Sequence, residues 1–362
     1  MNSLRKILSL IAIFVFLSGS FVLANEPAQV EKPEGKLNVK ELILEHLADS
    51  YIWHITKIGE TDIAIPLPVI VYSTTTGWHV FLSSAFNEKG EYQGLIIAPE
   101  GKYKGKIVEK DSLGNDVKPF DISITKVVFS LLFNSALLIF IILMVARSYK
   151  KEVYESKKGF VGFMEMFIMN INDDVIKPCI GKDYKRFSPY LLTVFFFIFL
   201  NNLMGLIPLF PGGANVTGNI AITFVLAICT FIIVNIFGTK EYWKEIFWPD
   251  VPLWLKVPLP LMPVIELVGV FTKPFALMIR LFANMMAGHT ILLSLVSIIF
   301  LTSTISAVIC TPMSIVSVAF AIFMDCLELL VAWIQAYVFT MLSAVFIGIA
   351  ISGEAPKSIK AE

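Results

Sequence analysis

Charge is what this 362-residue sequence has least of. Asp, Glu, Lys and Arg make up 16% of it, against about a quarter in soluble globular domains. The 29 basic and 29 acidic residues cancel, so no basic surplus points to nucleic acid as a partner. Cysteine is scarce as well. Cys179, Cys229, Cys310 and Cys326 all lie beyond the polar N-terminal third, which excludes a disulfide framework there. There are four histidines, and His46, His54 and His79 stand at a spacing that matches no metal motif; no metal and no cofactor is expected. Only His289 lies in an apolar stretch, so the zinc-binding H-E-x-x-H of an intramembrane metallohydrolase is missing. There is no Walker-type phosphate loop, so any nucleotide chemistry belongs to other chains. There is no internal repeat of the kind a stand-alone ion-coupled transporter would show, although such a transporter or channel stays the alternative reading.

What is abundant is apolar sequence: 56% hydrophobic residues and a mean hydropathy of +0.75. The expected fold class is an all-α polytopic membrane protein with a small β-rich N-terminal domain. It would have about five membrane-embedded helices, the last two long and strongly tilted, plus one surface helix. Residues 1–24 read as a secretory signal, with Arg5 and Lys6 before an apolar run and Val22-Leu23-Ala24 as the cleavage site. Residues 25–122 read as an extracytoplasmic (periplasmic) domain. A helical pattern covers Val39–Leu47, and short strands are expected at Val69–Tyr72, His79–Leu82 and Leu95–Ile97.

The membrane domain is expected over 123–352, with a cytoplasmic tail at 353–362. Val127–Ala146 is an uncharged twenty-residue span, enough to cross about 30 Å of hydrocarbon. Arg147, Lys150, Lys151, Lys157 and Lys158 follow it and place its far end in the cytoplasm. Phe160–Val175 is amphipathic and reads as a helix on the membrane surface. Tyr190–Ile207 and Ile220–Phe237 read as spans, joined outside by a loop, Pro208–Asn219, without Lys or Arg. Lys240, Lys244 and Lys256 return to the cytoplasm, where Trp243, Trp248 and Trp254 fit an aromatic belt. The apolar stretches Leu259–Ile309 and Met313–Ile351 are too long to stand upright, so a slanted hairpin turning near Thr311-Pro312 is expected.

Inside that hairpin lie charges. Glu266, Lys273 and Arg280 are seven residues apart, nearly two helical turns, and Asn284 and Ser294 extend their stripe. A charge at mid-membrane costs about 2.5–3.5 kcal/mol even on the lenient insertion scale. The stripe should therefore face protein, water or a partner. His289 is half a turn from Arg280. On the second long helix Asp325, Glu328 and Gln335 fall within about a quarter-turn.

Lys273-Pro274 followed by Leu277-Met278-Ile279-Arg280-Leu281-Phe282-Ala283-Asn284-Met285-Met286-Ala287-Gly288-His289 resembles the signature of subunit a of bacterial F-type ATP synthases. Asn202-Leu203-Met204-Gly205-Leu206-Ile207-Pro208, Asn215-Val216-Thr217 and Glu328 through Gln335-Ala336-Tyr337-Val338-Phe339 resemble further family segments, in the same order. The resemblance covers about 124–352 and leaves out an enlarged N-terminal domain. It implies that Arg280 faces a ring of c subunits, with Asn284 and Gln335 flanking it. Glu266, His289 and Glu328 would line aqueous half-channels, with Lys273, Asp325 and Ser294 as secondary residues. It implies as partners the c-ring, the b subunits of the peripheral stalk, the rest of the FoF1 complex and membrane lipid. The chain would be a non-catalytic, proton-translocating subunit in the cell inner membrane. Many bacterial members carry an acid where His289 stands and a histidine where Glu328 stands. The exchange keeps one of each and suggests that the two work jointly. Gly205 replaces an acidic residue of some relatives, so no role carries over there.

Overall fold

A computed structural model describes residues 48–352 of the chain, apart from 59–60, 74–75, 87–90, 100, 102, 111–115, 150–157, 208–209, 249–260 and 306. The expected signal segment, the helix at Val39–Leu47, His46, Lys150, Lys151, Lys157, Pro208, Trp254, Lys256 and the tail lie outside the described residues. The described residues form two compact units. One takes in the chain up to Phe133 together with Met204–Val216 and His289–Cys326; the other comprises Asn134–Leu203, Thr217–Gly288 and the chain from Leu327 onward.

The first unit begins as nine antiparallel strands: β1 (Ile52–Ile58), β2 (Thr61–Pro66), β3 (Pro68–Ser73), β4 (Gly77–Leu82), β5 (Glu91–Tyr92), β6 (Leu95–Ile97), β7 (Ile107–Lys110), β8 (Asp116–Val117) and β9 (Phe120–Asp121). They form sheets of order β1-β2, β4-β3-β9 and β5-β6-β7-β8. The three expected strands are β3, β4 and β6. On β3, Val69, Val71 and Ser73 are buried while the residues between them are not, the period-two pattern of a sheet with one face covered. Tyr51, Val69, Val71, Leu95 and Ile107 make the core, closed by Phe81, Phe86 and Ile97. The Tyr51 hydroxyl donates to Asp121 Oδ2 at 2.5 Å. Burial, then this carboxylate, raises the Tyr51 phenol well above its ordinary value.

The strand domain is tied to the first long helix, α1 (Lys126–Tyr149). The Val127 amide donates to Asp49 Oδ1 at 3.2 Å and the Lys126 amide to the Ser50 carbonyl at 2.9 Å. Residues nearly eighty positions upstream thus satisfy amides that a helix start leaves without intrahelical partners. Trp53 packs edge-on against Phe129 and Phe210, with ring centroids 5.9 and 5.1 Å away.

The remaining helices are α2 (Phe160–Asn170), α3 (Tyr184–Leu206), α4 (Ile220–Ile236), α5 (Lys240–Phe247), α6 (Leu261–Ile305) and α7 (Ala307–Ser352). The helical path of α2 runs on past Val175, through a π-type stretch at Ile171–Ile176 and short turns at Lys177–Ile180 and Gly181–Asp183, into α3. Asn219 caps α4 by accepting from the Ala221 amide at 3.0 Å, and Thr239 caps α5 by accepting from Tyr242 at 3.3 Å. Among the described residues four helical segments are long and apolar enough to cross a membrane. A fifth is the pair α4 and α5, bent by 103°.

Helices α6 and α7 have 45 and 46 residues, each about 68 Å long at 1.5 Å per residue. A bilayer is about 40–45 Å thick with its headgroups, so helices of this length incline or protrude. Contrary to the expected turn near Thr311-Pro312, both residues lie inside α7, which is described from Ala307 onward. The sequence ahead of α7, Thr302-Ser303-Thr304-Ile305-Ser306, is rich in short hydroxyl residues. Short hydroxyl side chains compete for helix carbonyls and favour helix ends, and the Thr302 hydroxyl already donates to the Ile298 carbonyl at 2.9 Å.

The second unit has an aromatic and aliphatic core. Trp333 of α7 meets Phe167, Phe195 and Phe199 at ring-centroid distances of 4.8, 5.2 and 5.4 Å. Leu277, Leu281, Ala336 and Phe339 are buried in the same cluster.

Candidate functional site

Helix α6 buries Val270, Leu277, Leu281 and Met285. The spacing of seven, four and four residues is a single helical stripe. Arg280 lies beside this stripe, with its side chain exposed, as are Lys273 and Asn284; Glu266 is half-buried. The apolar neighbours of the charged residues therefore hold α6 in the bundle, and the charges flank the packed side. Among the described residues Arg280 forms no ion pair.

One turn beyond Arg280, the Asn284 amide donates to Gln335 Oε1 at 2.7 Å. Gln335 is buried at 2% exposure, and its amide nitrogen finds no partner among the described residues. Gln335 shares a buried face of α7 with Glu328, Ala332 and Phe339, at spacings of four, three and four that bring them onto one side. Asn202 of α3 fixes this face: its amide donates to the Ala332 carbonyl at 3.4 Å, and its own carbonyl accepts from the Thr217 hydroxyl at 2.7 Å. The family-like Asn202 and Thr217 are thereby joined to the helix that carries Gln335.

Glu328 is 4% exposed. Its carboxyl lies against the α6 backbone at Gly288, where a Cβ would come within 2.8 Å of Oε1. His289 is half-buried, and a Cβ at Gly205 would stand 3.6 Å from its Nε2. The imidazole thus lies beside the end of α3, at ordinary contact distance from such a Cβ. Asp325 is half-buried, and the Ser294 hydroxyl donates back to the Thr290 carbonyl at 2.7 Å.

Lys273 places its ammonium 5.9 Å from the Phe346 ring centroid. It lines a cleft with Thr230, Asn235, Tyr242, Leu277 and Phe346. The structure thus brings Asn284 together with Gln335 and sets Lys273 in a cleft of its own.

Sequence reasoning passed over several polar residues that join the helices. Asn134 donates to Asn201 at 3.0 Å. Tyr190 pairs with Thr230 at 2.9 Å, and Thr230 with Ser343 at 3.4 Å. Asn201 could have been noticed as an amide in the middle of an apolar run. The threonines and serine carry no such signal, because a hydroxyl in a spanning helix can bond its own backbone.

The sequence profile described as ATP synthase A chain matches residues 128–348. A separate profile, a domain of unknown function (DUF8433), matches 42–124, the strand domain. The chain is 42% identical over 245 residues to ATP synthase subunit a of Chloroherpeton thalassium, a match spanning 66% of this chain and 70% of that one. It is 46% identical over 245 residues to ATP synthase subunit a 2 of Chlorobaculum tepidum, spanning 65% of each. It is 39% identical over 239 residues to ATP synthase subunit a of Myxococcus xanthus, spanning 64% of this chain and 74% of that one. With spanning helices, a polar flank on α6 and these relatives together, the chain belongs to the ATP synthase A chain family of multi-pass membrane proteins.

Proposed function

We propose that this chain is the proton-channel stator subunit of a rotary FoF1 complex. It would offer two offset half-channels to carboxylates on a ring of c subunits. The observation that carries the reading is Arg280: a cation on an apolar helix, exposed beside the packed stripe and without an ion pair among the described residues. A guanidinium keeps its charge in almost any protein setting. At membrane depth such a charge calls for an acidic partner, and a c-ring carboxyl supplies one in trans.

Protons enter from the side of the N-terminal domain, past Asp325 and Ser294, through Glu328 and His289. They neutralise a ring carboxylate, which then turns into lipid. After nearly a full rotation the carboxyl meets the second half-channel, lined by Glu266 and Lys273, and releases its proton to the cytoplasm. Arg280 stands between the two routes. Its charge favours the ionised carboxylate in front of it and repels protons that would otherwise leak straight through. Each charge crossing the full potential yields about 2.3 kcal/mol per 100 mV, which a leak would dissipate. Asn284, held by Gln335, supplies amide dipoles one turn from the guanidinium.

The basic segment after α1 supports a cytoplasmic far end for that helix and an extracytoplasmic strand domain. The C-terminus would then be cytoplasmic, the membrane the cell inner membrane, and the b subunits the link to the stalk. Nucleotide chemistry would rest on other subunits, leaving this one non-catalytic.

Arg280→Ala decides the matter. In vesicles carrying the assembled complex it should abolish ATP synthesis driven by a proton gradient. Retention of full synthesis would overturn the assignment.

A further inference from the structure

The sheet β4-β3-β9 has one face in the core of the strand domain. Its other face is a grid of nine side chains. Register pairs Trp78 with Tyr72, Val80 with Ile70 and Leu82 with Pro68 across β4 and β3, and Tyr72 with Phe120 across β3 and β9. The Ile122 and Ile124 amides, donating to the Ile70 and Pro68 carbonyls, carry the same pairing past the end of β9. Residues directly opposite in an antiparallel pair share a face. The rows are therefore Trp78-Tyr72-Phe120, Val80-Ile70-Ile122 and Leu82-Pro68-Ile124.

No member of the grid is charged or carries an amide side chain. Trp78 is 61% exposed, Val80 71% and Phe120 64%; Tyr72, Leu82 and Ile122 are exposed as well. Soluble proteins rarely show a contiguous apolar surface of this extent without a partner for it.

We propose that this face lies on the lipid bilayer, in the leaflet at which α1 begins. Three observations name lipid as the occupant. The first is continuity. Ile124 stands two residues before Lys126, where α1 starts, and the bonds from Lys126 and Val127 to Ser50 and Asp49 hold the domain on the helix end. Leu82, two strands from Ile124, is thus about 10 Å from the chain as it enters the span.

The second is the order of the rows. The row beside the span is aliphatic, and the row farthest from it, about 13 Å along the strands, is Trp, Tyr and Phe. Aliphatic side chains suit the edge of the hydrocarbon, while Trp and Tyr prefer the headgroup level because each has an apolar body and a polar tip. The headgroup zone is about 5–8 Å deep on each side, so an inclined sheet puts both rows at their preferred depths. The third is Lys118, exposed two residues before Phe120, on the side where lipid phosphates would lie.

The test uses the assembled complex in phosphatidylcholine–phosphatidylglycerol vesicles. The four native cysteines are changed to serine, and a nitroxide is attached at Val80→Cys or, separately, at Phe120→Cys. Power saturation compares collisions with oxygen, which concentrates in lipid, and with a water-soluble nickel chelate. Lipid contact predicts oxygen collisions exceeding nickel collisions several-fold at both sites. Nickel collisions exceeding oxygen would show a face in water and overturn the proposal. Low collision rates with both would show a face covered by protein and overturn it equally. Should Val80→Cys fail to assemble, Phe120→Cys decides alone.

Discussion

At Gly288 an added Cβ would approach Glu328 Oε1 to 2.8 Å, so the missing side chain is what lets the carboxyl rest against α6. Gly288→Ala separates folding from function. Alanine favours a helix over glycine by about 1 kcal/mol, and only the tip of a flexible side chain must move, so assembly should be unimpaired. The displaced carboxyl should lower proton-driven ATP synthesis by about 10–100-fold, the scale set by a 1 Å misplacement of a reacting group. Normal synthesis with normal assembly would show that the carboxyl's seat is immaterial. Tyr51 makes a different prediction, outside the membrane. Its phenol is raised by burial and by Asp121, which means the fold favours the neutral form. Its contribution is therefore complete below the unfolded phenol's value of about 10 and is lost as pH rises through the folded value. Tyr51→Phe should cost about 1 kcal/mol at pH 8 by removing a hydrogen bond and should flatten the alkaline decline. Guanidinium unfolding followed by near-ultraviolet circular dichroism at pH 8 and pH 10.5 measures both.

Helix α7 approaches the turn after α2 so closely at Gly348 that a Cβ there would collide with the Cys179 carbonyl oxygen. Unlike the Gly288 contact, this one is with backbone, which cannot swing aside. Gly348→Ala should destabilise the bundle by about 1–3 kcal/mol, the usual cost of overpacking, and lower the melting temperature of the solubilised chain; an unchanged value would show that α7 can shift freely. The interhelical pairs Asn134–Asn201 and Tyr190–Thr230 are weaker ties, about 0.6 kcal/mol each on average in membranes. Tight backbone approach therefore sets the helix spacing more firmly than polar bonds do. At this scale much was legible beforehand. Uncharged apolar runs placed α1, α3 and α4 to within six residues, because lipid tolerates no other backbone than one that bonds itself. The expected turn at Thr311-Pro312 was misread, because a proline reads as a helix breaker whereas Pro312 lies within α7.

Two sequence families meet in this molecule, one matching 42–124 and taking in the strands, the other matching 128–348, and the helix that begins at Lys126 follows the strands directly. At this scale the proposal that His289 and Glu328 act jointly can be tested by exchanging them. The double variant, His289→Glu with Glu328→His, should retain more proton-driven synthesis than either single change, and an equal or greater loss would argue for separate roles. The sequence by itself determined the membrane class and the family, and it singled out Arg280 as the residue on which the proposed function rests. A charge in a long apolar run is anomalous wherever the chain folds, and the signature around it is local. Other features were decided only by tertiary structure: the clamp of Asn284 on Gln335, the seat of Glu328 at Gly288, the capping of α1 by Asp49, and the apolar grid over β4, β3 and the chain leading into α1. Each joins residues tens of positions apart, and which partners meet depends on helix packing and strand register. Arg280 is anomalous from its sequence alone, while the packed stripe of Val270, Leu277, Leu281 and Met285 leaves its side chain exposed on the flank of that stripe.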